Sequence, residues 1–400
     1  MAANLNILCM GSFNTGDRFL ERAVERGCRV WALTKEKHLG KPWRRDLLQD
    51  LLAMPNDATM QQTLNAVCYL NRTVKFDRII PFDDLEVETT STLREHLRVP
   101  GMGDTTARVF RDKLAMRVLA REMNIPVPEF TGVLHYPDIE AFTRRVEPPY
   151  MLKPRQEAAS AGIKKITSVD QLWQEIHALG DMQSYCLIEK YIPGDVYHVD
   201  AIVSEGEIKL MECHKTGIPP FDVSHGGGVF STMTVERGSD DDQKLRATAS
   251  AVLKSFKLLR GTAHVEFIKG QDGVVYFLEI GARVGGGHIA ELVEISTGVN
   301  LWREWADIEI DKGQVPYALP ERRFDYAGLV QCLARAEHPD LSAYSDPEVT
   351  YHTHDRFHAG LIVRSPDHAR VESLVASYRD RFAQDFVAVM PLFELPLRRA

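Results

Sequence analysis

The chain has 400 residues and a formal net charge of −8, from 48 basic and 56 acidic side chains. This length favours two to three domains, and a composition with 44% hydrophobic and 26% charged residues excludes a disordered or fibrous protein. The charges are spread along the chain without a basic run, so we expect no nucleic-acid partner. The sequence holds no run of 18 apolar residues, and its six cysteines are scattered without a CxxC spacing. We therefore expect a reduced, cytoplasmic protein that does not enter a membrane.

The first hundred residues alternate between strand and helix patterns. Residues 6–10 form a short apolar run, and Asp17 is a candidate N-cap for a helix that Gly27 would end. Strand character returns over 28–33 and again over 78–82, where another helix pattern follows. This β–α–β opening predicts a doubly wound parallel sheet.

Beyond residue 104 the pattern predicts a mixture of helices and strands. The predicted helices lie near 105–123, 168–179 and 240–258, and the first predicted strands over 150–154 and 185–190. Asp104 is a candidate N-cap of the first of these helices, and its end is marked by NIPVP (124–128). After Pro193 the sequence predicts strands with an alternating pattern, and a predicted hairpin ends this part of the chain.

The hairpin carries two acidic residues. Its strands lie over 262–269 and 274–280, and a two-residue turn at Asp272 and Gly273 would place Glu266 opposite Glu279. Directly opposed Cβ atoms are roughly 4.5–5.5 Å apart, and like charges so placed destabilise a hairpin unless a cation lies between them. The pair suits Mg²⁺ that carries the phosphates of a nucleotide. The alternatives are a solvated pair or a register shifted by one residue.

A glycine-rich turn follows the second glutamate. In EIGARVGGGH (279–288), three glycines allow a close approach of the backbone to an anion. Arg283 offers a planar set of donors for a carboxylate or a phosphate. The alternative is a turn that only reverses the chain, which the neighbouring acids and arginine disfavour.

Five motifs in this order are typical of one family. They are RDK (111–113) with IPVP (125–128), MLKP (151–154), IEKYIPG (188–194), the acidic hairpin and Arg283. In these motifs the chain resembles the ATP-grasp superfamily of ATP-dependent ligases, from about residue 5 to about residue 305. The tail of the match is most similar to the L-amino-acid (dipeptide) ligases and related carboxylate–amine ligases.

The resemblance implies the ATP-grasp architecture. This is an α/β fold with an N-terminal doubly wound parallel-sheet domain, a small lid domain and a C-terminal antiparallel-sheet domain, and the nucleotide lies between the last two. The implied boundaries are 1–104 for the N-terminal domain, 105–190 for the linking helix and lid, 191–310 for the core with the hairpin, and 311–400 for an α/β segment that completes the core.

The resemblance also implies roles at the matched positions. For ATP, Lys113 and Lys153 would contact the phosphates, Ser160 and Gly162 would lie in the loop that covers them, and Glu189 with the backbone of Lys190, Tyr191 and Ile192 would bind adenine. For the chemistry, Glu266 and Glu279 would hold Mg²⁺, or Mn²⁺ in its place, and Arg283 and Lys153 would act on the transferred phosphoryl group or the substrate carboxylate.

Two positions depart from the family pattern. Gly281 stands where the family usually has an Asn that ligates a second metal ion, so the number of ions stays open. The residue that binds the ribose also stays open, because many relatives have a glutamate near position 195. Asp195, His198 and Asp200 are the candidates.

The loop over 213–228 matches the stretch that lines the acid and amine pockets in the family. Candidate groups on the acceptor side are His214, Lys215 and His225, the last two as catalytic residues, and candidate substrate contacts are Gly285, Gly286 and Gly287. The alternative is a surface loop with solvated histidines.

The resemblance implies a Mg·ATP-dependent ligase that joins a small carboxylic acid to an amine or amino acid through an acyl phosphate. It also implies a homodimer as one possible state of assembly. Two alternatives remain: an ATP-grasp carboxylase that forms carboxyphosphate from bicarbonate, and a nucleotide-binding protein without catalysis.

Overall fold

A computed structural model describes residues 4–157, 161–218 and 227–388. Its N-terminal elements are β1 (Asn6–Met10), α1 (Asp17–Glu25), β2 (Arg29–Lys35), β3 (Asp50–Met54), α2 (Met60–Leu70), β4 (Arg78–Pro81) and α3 (Val87–Leu97). The four strands form a parallel sheet in the order β3-β2-β1-β4, so the predicted doubly wound sheet is confirmed. Asp17 is the first residue of α1, and Gly16, with φ of 87°, takes the N-cap position that we predicted for Asp17.

Two helices, not one, connect this sheet to the rest of the chain. They are α4 (Asp104–Arg108) and α5 (Lys113–Glu122). The single helix predicted over 105–123 is interrupted because Asp112 begins a new helix. Its carboxylate accepts hydrogen bonds from the backbone amides of Leu114 and Ala115. This cap places Lys113 in the first turn of α5.

The next part of the chain forms a small antiparallel sheet with two helices. Its elements are β5 (Phe130–Gly132), α6 (Tyr136–Arg145), β6 (Tyr150–Pro154), β7 (Lys164–Ile166), α7 (Val169–Leu179) and β8 (Cys186–Lys190). The strand order is β5-β8-β6-β7. Apolar side chains from both helices and the sheet form a core of their own. We refer to this part of the chain as the lid, after the domain that the resemblance implies.

The largest sheet has eight strands in the order β13-β12-β9-β10-β11-β14-β16-β15. Its strands are β9 (Gly194–Ser204), β10 (Glu207–Thr216), β11 (Phe230–Thr234), β12 (Gly261–Gly270), β13 (Val275–Gly281), β14 (Tyr326–Leu333), β15 (Val349–His352) and β16 (His358–Ser365). The helices are α8 (Asp240–Ser255), α9 (Ile289–Thr297), α10 (Leu301–Asp311) and α11 (His368–Asp385). Strands from beyond residue 311 lie in the same sheet as the hairpin, although the four domain boundaries stay a prediction.

Apolar cores cover both faces of this sheet. Apolar side chains of β9, β12 and β13 pack against α5 and α8 on one face. On the other face, α9 and α10 pack between the sheet and the N-terminal domain. Trp302 and Trp305 belong to this second core, where they contact Phe82 and Phe19 edge to face. No helix among the described residues has the length and apolar character that a membrane crossing requires.

Candidate nucleotide and metal site

Two glutamates face each other across the hairpin of β12 and β13. Glu266 and Glu279 are direct partners in the antiparallel register, so the predicted pairing is confirmed. Residues paired in this way project from the same face of a sheet. Their side chains are 37% and 28% exposed, and a ligand can therefore reach both carboxylates from one side.

The turn of this hairpin differs from the prediction. The Gly270 amide donates to the Val274 carbonyl and the Gly273 amide to the Gly270 carbonyl, so three residues, not two, connect the strands. Gly273 has φ of 76°, a conformation that glycine tolerates. The longer loop shifts the register by one residue, and an irregularity after Glu266 restores its pairing with Glu279. The predicted turn is wrong, whereas the pairing it suggested is present.

Each of the two carboxylates lies beside a basic group. Lys113 Nζ is 2.9 Å from Glu279 Oε1, and it also donates to the carbonyl of Glu157. His264 Nε2 is 3.5 Å from Glu266 Oε1. These contacts offset the repulsion between two like charges on facing strands.

The donor set suits a divalent cation. Burial by itself would raise the pKa of Glu266, but the hydrogen bond and charge of His264, together with Lys113, lower the pKa below its ordinary value. The carboxylate is therefore ionised at neutral pH. Carboxylate oxygens are the ligands that Mg²⁺ prefers, so Glu266 and Glu279 fit this ion.

Arg283 is held by an aspartate from the N-terminal domain. Its Nε and Nη2 atoms lie 2.6 and 2.5 Å from Asp84 Oδ2. Burial would raise the pKa of Asp84, but the charges of Arg283 and Arg111 lower it. A Cβ at Gly281 would lie 2.8 Å from Asp84 Oδ1, so the aspartate fills the space that a side chain at 281 would need. No local sequence pattern indicates this contact between residues 199 positions apart.

A second group of ion pairs lies where the lid meets α5. Glu189 Oε1 accepts a hydrogen bond from Arg117 Nε, and Glu189 Oε2 is 2.5 Å from Lys153 Nζ. Burial would raise the pKa of Glu189, but Arg117 and Lys153 lower it to about 2. Because its side chain is engaged, Glu189 can reach an adenine only through its main chain. Arg117, one turn after Lys113, is a residue that the motifs did not reveal.

The hinge after β8 is partly hydrogen-bonded to the lid. The Lys190 amide donates to the Glu129 carbonyl, and the Tyr191 amide donates to the Pro149 carbonyl. Among the described residues, the Ile192 amide has no backbone acceptor. Of the hinge backbone groups expected to contact adenine, the amide of Ile192 and the hinge carbonyls are therefore the ones that stay available.

Three histidines converge on one buried aspartate beside Glu266. The Nδ1 atoms of His198 and His264 are each 2.8 Å from the Asp200 carboxylate, and His214 Nδ1 is 3.3 Å from it. His214 lies opposite His198, and His264 lies opposite Asp200, in the register of β9 with its neighbours. These residues share a sheet face with Glu266. The spacing of two residues between His198 and Asp200 on one strand is the sequence pattern that could have predicted this shared face.

The histidines of this cluster have different charges. Burial lowers the pKa of His198 to about 4, so its ring is neutral at neutral pH. Burial would also lower the pKa of His264, but the charges of Asp200 and Glu266 outweigh it and raise the pKa to about 9. His198 Nε2 is 2.8 Å from Thr232 Oγ1, so neither ring nitrogen of this residue is free for a ribose as the structure stands.

Two predicted site residues lie on the opposite face of the sheet. Lys215 Nζ is 2.7 Å from Asp195 Oδ2. Side chains alternate along a strand, and both residues share the face of Tyr197, whose hydroxyl group donates to Asp241 of α8. The structure therefore brings neither the expected catalytic lysine nor Asp195, one of the three candidate ribose ligands, to the face of Glu266 and Glu279.

The glycine-rich turn lies beside Arg283 as expected. Gly285 is buried, and Gly286 and Gly287 are exposed. In the lid, Gly162 has φ of 69° and follows β6, the strand that carries Lys153. Ser160 and His225 lie outside the described residues, so the roles expected for them stay predictions.

Residues 146–291 match a family model described as an ATP-grasp domain. The L-arginine-specific L-amino acid ligase of Bacillus subtilis is 24% identical over 241 residues, which are 59% of this chain and 58% of that protein. The L-amino acid ligase from Bacillus licheniformis has a similar structure, with a TM-score of 0.75 at 15% identity over 97% of this chain and 99% of its own. The biotin carboxylase domain of the Hydrogenobacter thermophilus 2-oxoglutarate carboxylase, a dimer with MgADP and bicarbonate, has a TM-score of 0.70 at 15% identity over 96% of this chain and 90% of its own.

These comparisons differ in what they establish. The match spans little more than half the length of the curated relative, and structural likeness at this identity establishes the fold alone. The domain match covers β6, β7 and β8, the hinge and both glutamates of the hairpin. Residues 146–291 are therefore similar to an ATP-grasp domain, and the whole chain shares its fold with these ligase and carboxylase structures.

Proposed function

We propose that this protein is a Mg·ATP-dependent carboxylate–amine ligase, which forms an amide or dipeptide bond and releases ADP and phosphate. An oxygen of the acid attacks the γ-phosphorus, the bond from this phosphorus to the bridging oxygen of ADP breaks, and an acyl phosphate results. The amine nitrogen then attacks the acyl carbon, phosphate leaves, and the amine loses a proton.

The observation that carries this proposal is the opposed pair Glu266 and Glu279 with Lys113 beside it. Phosphoryl transfer depends on positioning and on neutralisation of charge more than on covalent steps by the protein. Lys153 adds a second ammonium group at the lid, where it is held by Glu189. Two lysines and two metal-binding carboxylates on separate elements supply both requirements.

Each residue of the site has a distinct part in this proposal. Glu266 and Glu279 would hold Mg²⁺, which neutralises charge on the phosphates when it is bound. Lys113 and Lys153 would exchange their carboxylate partners for phosphate oxygens. Arg283, oriented by Asp84, would stabilise the negative charge on the transferred group or on the acid.

The lid would exclude water from the acyl phosphate, which water would otherwise hydrolyse. The β5–β8 sheet, with its own apolar core, can move as a unit about the hinge over 190–194. The acid, the amine and a homodimeric assembly stay open within this proposal, as do Ser160 and His225 as contributors to the site.

Phosphate release with Mg·ATP, measured against pooled amino acids, amines and small acids with product masses read directly, tests the proposal. We expect release that needs both an acid and an amine, with a product whose mass is their sum less one water. ATP hydrolysis stimulated by bicarbonate and independent of amino acids would instead indicate the carboxylase. Tight ATP binding without phosphate release from any pool would indicate a nucleotide-binding protein without catalysis.

A further inference from the structure

A continuous row of polar contacts leads from the centre of the large sheet to Glu266. Thr232 Oγ1 lies 2.8 Å from His198 Nε2, and His198 Nδ1 lies 2.8 Å from Asp200 Oδ2. Asp200 Oδ1 lies 2.8 Å from His264 Nδ1, and His264 Nε2 lies 3.5 Å from Glu266 Oε1. The His264 ring thus stands between two carboxylates, with one nitrogen towards each.

The register of the sheet fixes this row. His264 is the direct partner of Asp200, and Glu266 is the direct partner of His198. These four residues lie on two adjacent inner strands, β9 and β12, whose backbones are hydrogen-bonded to each other along ten residue pairs. Asp200 is completely buried, so its carboxylate has no freedom to leave the row.

Asp200 also lies against the glycine-rich turn. A Cβ at Gly285 would lie 3.0 Å from Asp200 Oδ1, the oxygen that accepts from His264. Only a residue without a side chain allows the turn to rest on this carboxylate without displacement. The same oxygen therefore borders both His264 and the turn that follows Arg283.

We propose that Asp200 and His264 are positioning residues that orient the Glu266 carboxylate for the divalent metal ion. This inference rests on the proposed function, which assigns Glu266 to the metal. Asp200 fixes the rotation of the His264 ring, and the ring, with Nε2 3.5 Å from Glu266 Oε1, attracts this oxygen and leaves the other for the ion. Groups that hydrogen-bond to metal ligands set ligand orientation, and their loss typically lowers metal affinity by about 10–100-fold.

Two substitutions of His264 test the contacts of its two ring nitrogens separately. In His264→Asn, the amide corresponds to Nδ1 and keeps the contact with Asp200, but it does not reach Glu266. In His264→Gln, the amide corresponds to Nε2 and keeps the donor to Glu266, but the contact with Asp200 is lost. We expect a smaller loss of metal affinity in the glutamine variant, because the contact that orients Glu266 survives there.

Glu212 provides a matched control. It lies opposite Asp200 on β10, on the same face, and it is as buried. It is paired with Arg237, at 3.2 Å, and not with the histidines. Glu212→Gln removes a buried charge from the same layer of the sheet, so it reproduces the structural cost of Asp200→Asn without a break in the row.

The test is the dissociation constant of Mn²⁺ in the presence of saturating ADP, measured by electron paramagnetic resonance on the full chain. We expect Asp200→Asn and His264→Asn to raise it about tenfold or more, His264→Gln to raise it less, and Glu212→Gln to leave it unchanged. Circular dichroism establishes that each variant is folded. If Asp200→Asn does not fold, the two His264 variants decide the question by their difference.

The inference is overturned if folded Asp200→Asn and His264→Asn variants bind Mn²⁺ as the wild type does, or if Glu212→Gln weakens binding as much as they do. It is also overturned if the two His264 variants lose affinity equally. Failure of the metal assignment gives a different result, because the wild-type chain itself would then bind no Mn²⁺ with ADP. Failure of the ligase reaction appears only in the assay of product formation and leaves the order of these Mn²⁺ affinities unchanged.

Discussion

The two faces of β9 and β12 carry different kinds of side chain, although consecutive residues of each strand point to opposite faces. One face carries Tyr197, Val199, Val265 and Phe267, which are packed against α5 and α8. The other face carries His198, Asp200, His264 and Glu266, which form the polar row beside the hairpin. Because side chains of a strand alternate with a period of two, adjacent residues serve packing and chemistry separately. Substitutions at neighbouring positions should therefore affect different measurements.

The largest effect is expected for Glu279→Gln on the polar face. The amide retains the shape of the side chain but is a poor ligand for Mg²⁺, and the loss of several kcal/mol of metal stabilisation corresponds to about a thousandfold in turnover. Removal of the repulsion with Glu266 offsets the loss of the contact with Lys113, so the free energy of unfolding changes by only about 1 kcal/mol. Phosphate release and urea denaturation in metal-free buffer measure the two quantities.

Glu207→Gln is the control for this variant. Glu207 begins β10 and pairs at the surface with Lys209, so its neutralisation removes one charge without a change at the hairpin. If Glu279→Gln released ADP and phosphate at the wild-type rate, this result would contradict the assignment of the residue to the metal.

Phe267→Ala, one residue after Glu266, tests the apolar face, where we expect a loss of stability without a loss of metal binding. Phe267 is completely buried and contacts Phe277 edge to face. Loss of a buried phenyl ring lowers the free energy of unfolding by about 3–5 kcal/mol, which urea denaturation measures. We expect the folded variant to bind Mn²⁺ with ADP as the wild type does. If metal affinity falls together with stability, the two faces are coupled and the contrast between them fails.

Much of this arrangement follows from the sequence, and the rest depends on packing between distant segments. The pairing of Glu266 with Glu279 was predicted correctly although the predicted turn is wrong. The extra residue of the loop shifts the register by one, and the irregularity after Glu266 shifts it back. The contact between Asp84 and Arg283 joins segments 199 residues apart, and no local pattern specifies it. Lys215 follows His214 directly on β10, and a prediction made from the loop as a whole could not decide which of the two lies on the face of Glu266 and Glu279.

The histidine cluster makes its largest contribution to stability near pH 6.5. Burial lowers the pKa of His198 to about 4 in the folded chain. The unfolded chain, with an ordinary pKa of about 6.5, takes up a proton first, so stability falls as the pH drops from 6.5 towards 4. Burial would lower the pKa of His264 too, but Asp200 and Glu266 raise it to about 9. Its contribution is complete below pH 6.5 and is lost as the pH rises to 9.

Each limb of this profile spans up to about 3 kcal/mol, from the difference between the folded and unfolded pKa values. Urea denaturation between pH 4.5 and 9, with EDTA present, measures the profile. His198→Gln should flatten the acid limb and His264→Asn the alkaline limb. If neither variant changes its limb relative to the wild type, the charges of the polar face do not differ as we infer.

The smallest effect is expected for Asp195→Asn combined with Lys215→Met. This pair is about half exposed, and exposed ion pairs contribute about 0–1 kcal/mol, so the free energy of unfolding should change by no more than this. Because both side chains lie on the α8 face, ADP should bind the double variant as it binds the wild type, which isothermal titration calorimetry measures. A tenfold loss of ADP affinity would instead contradict the placement of this pair away from the nucleotide.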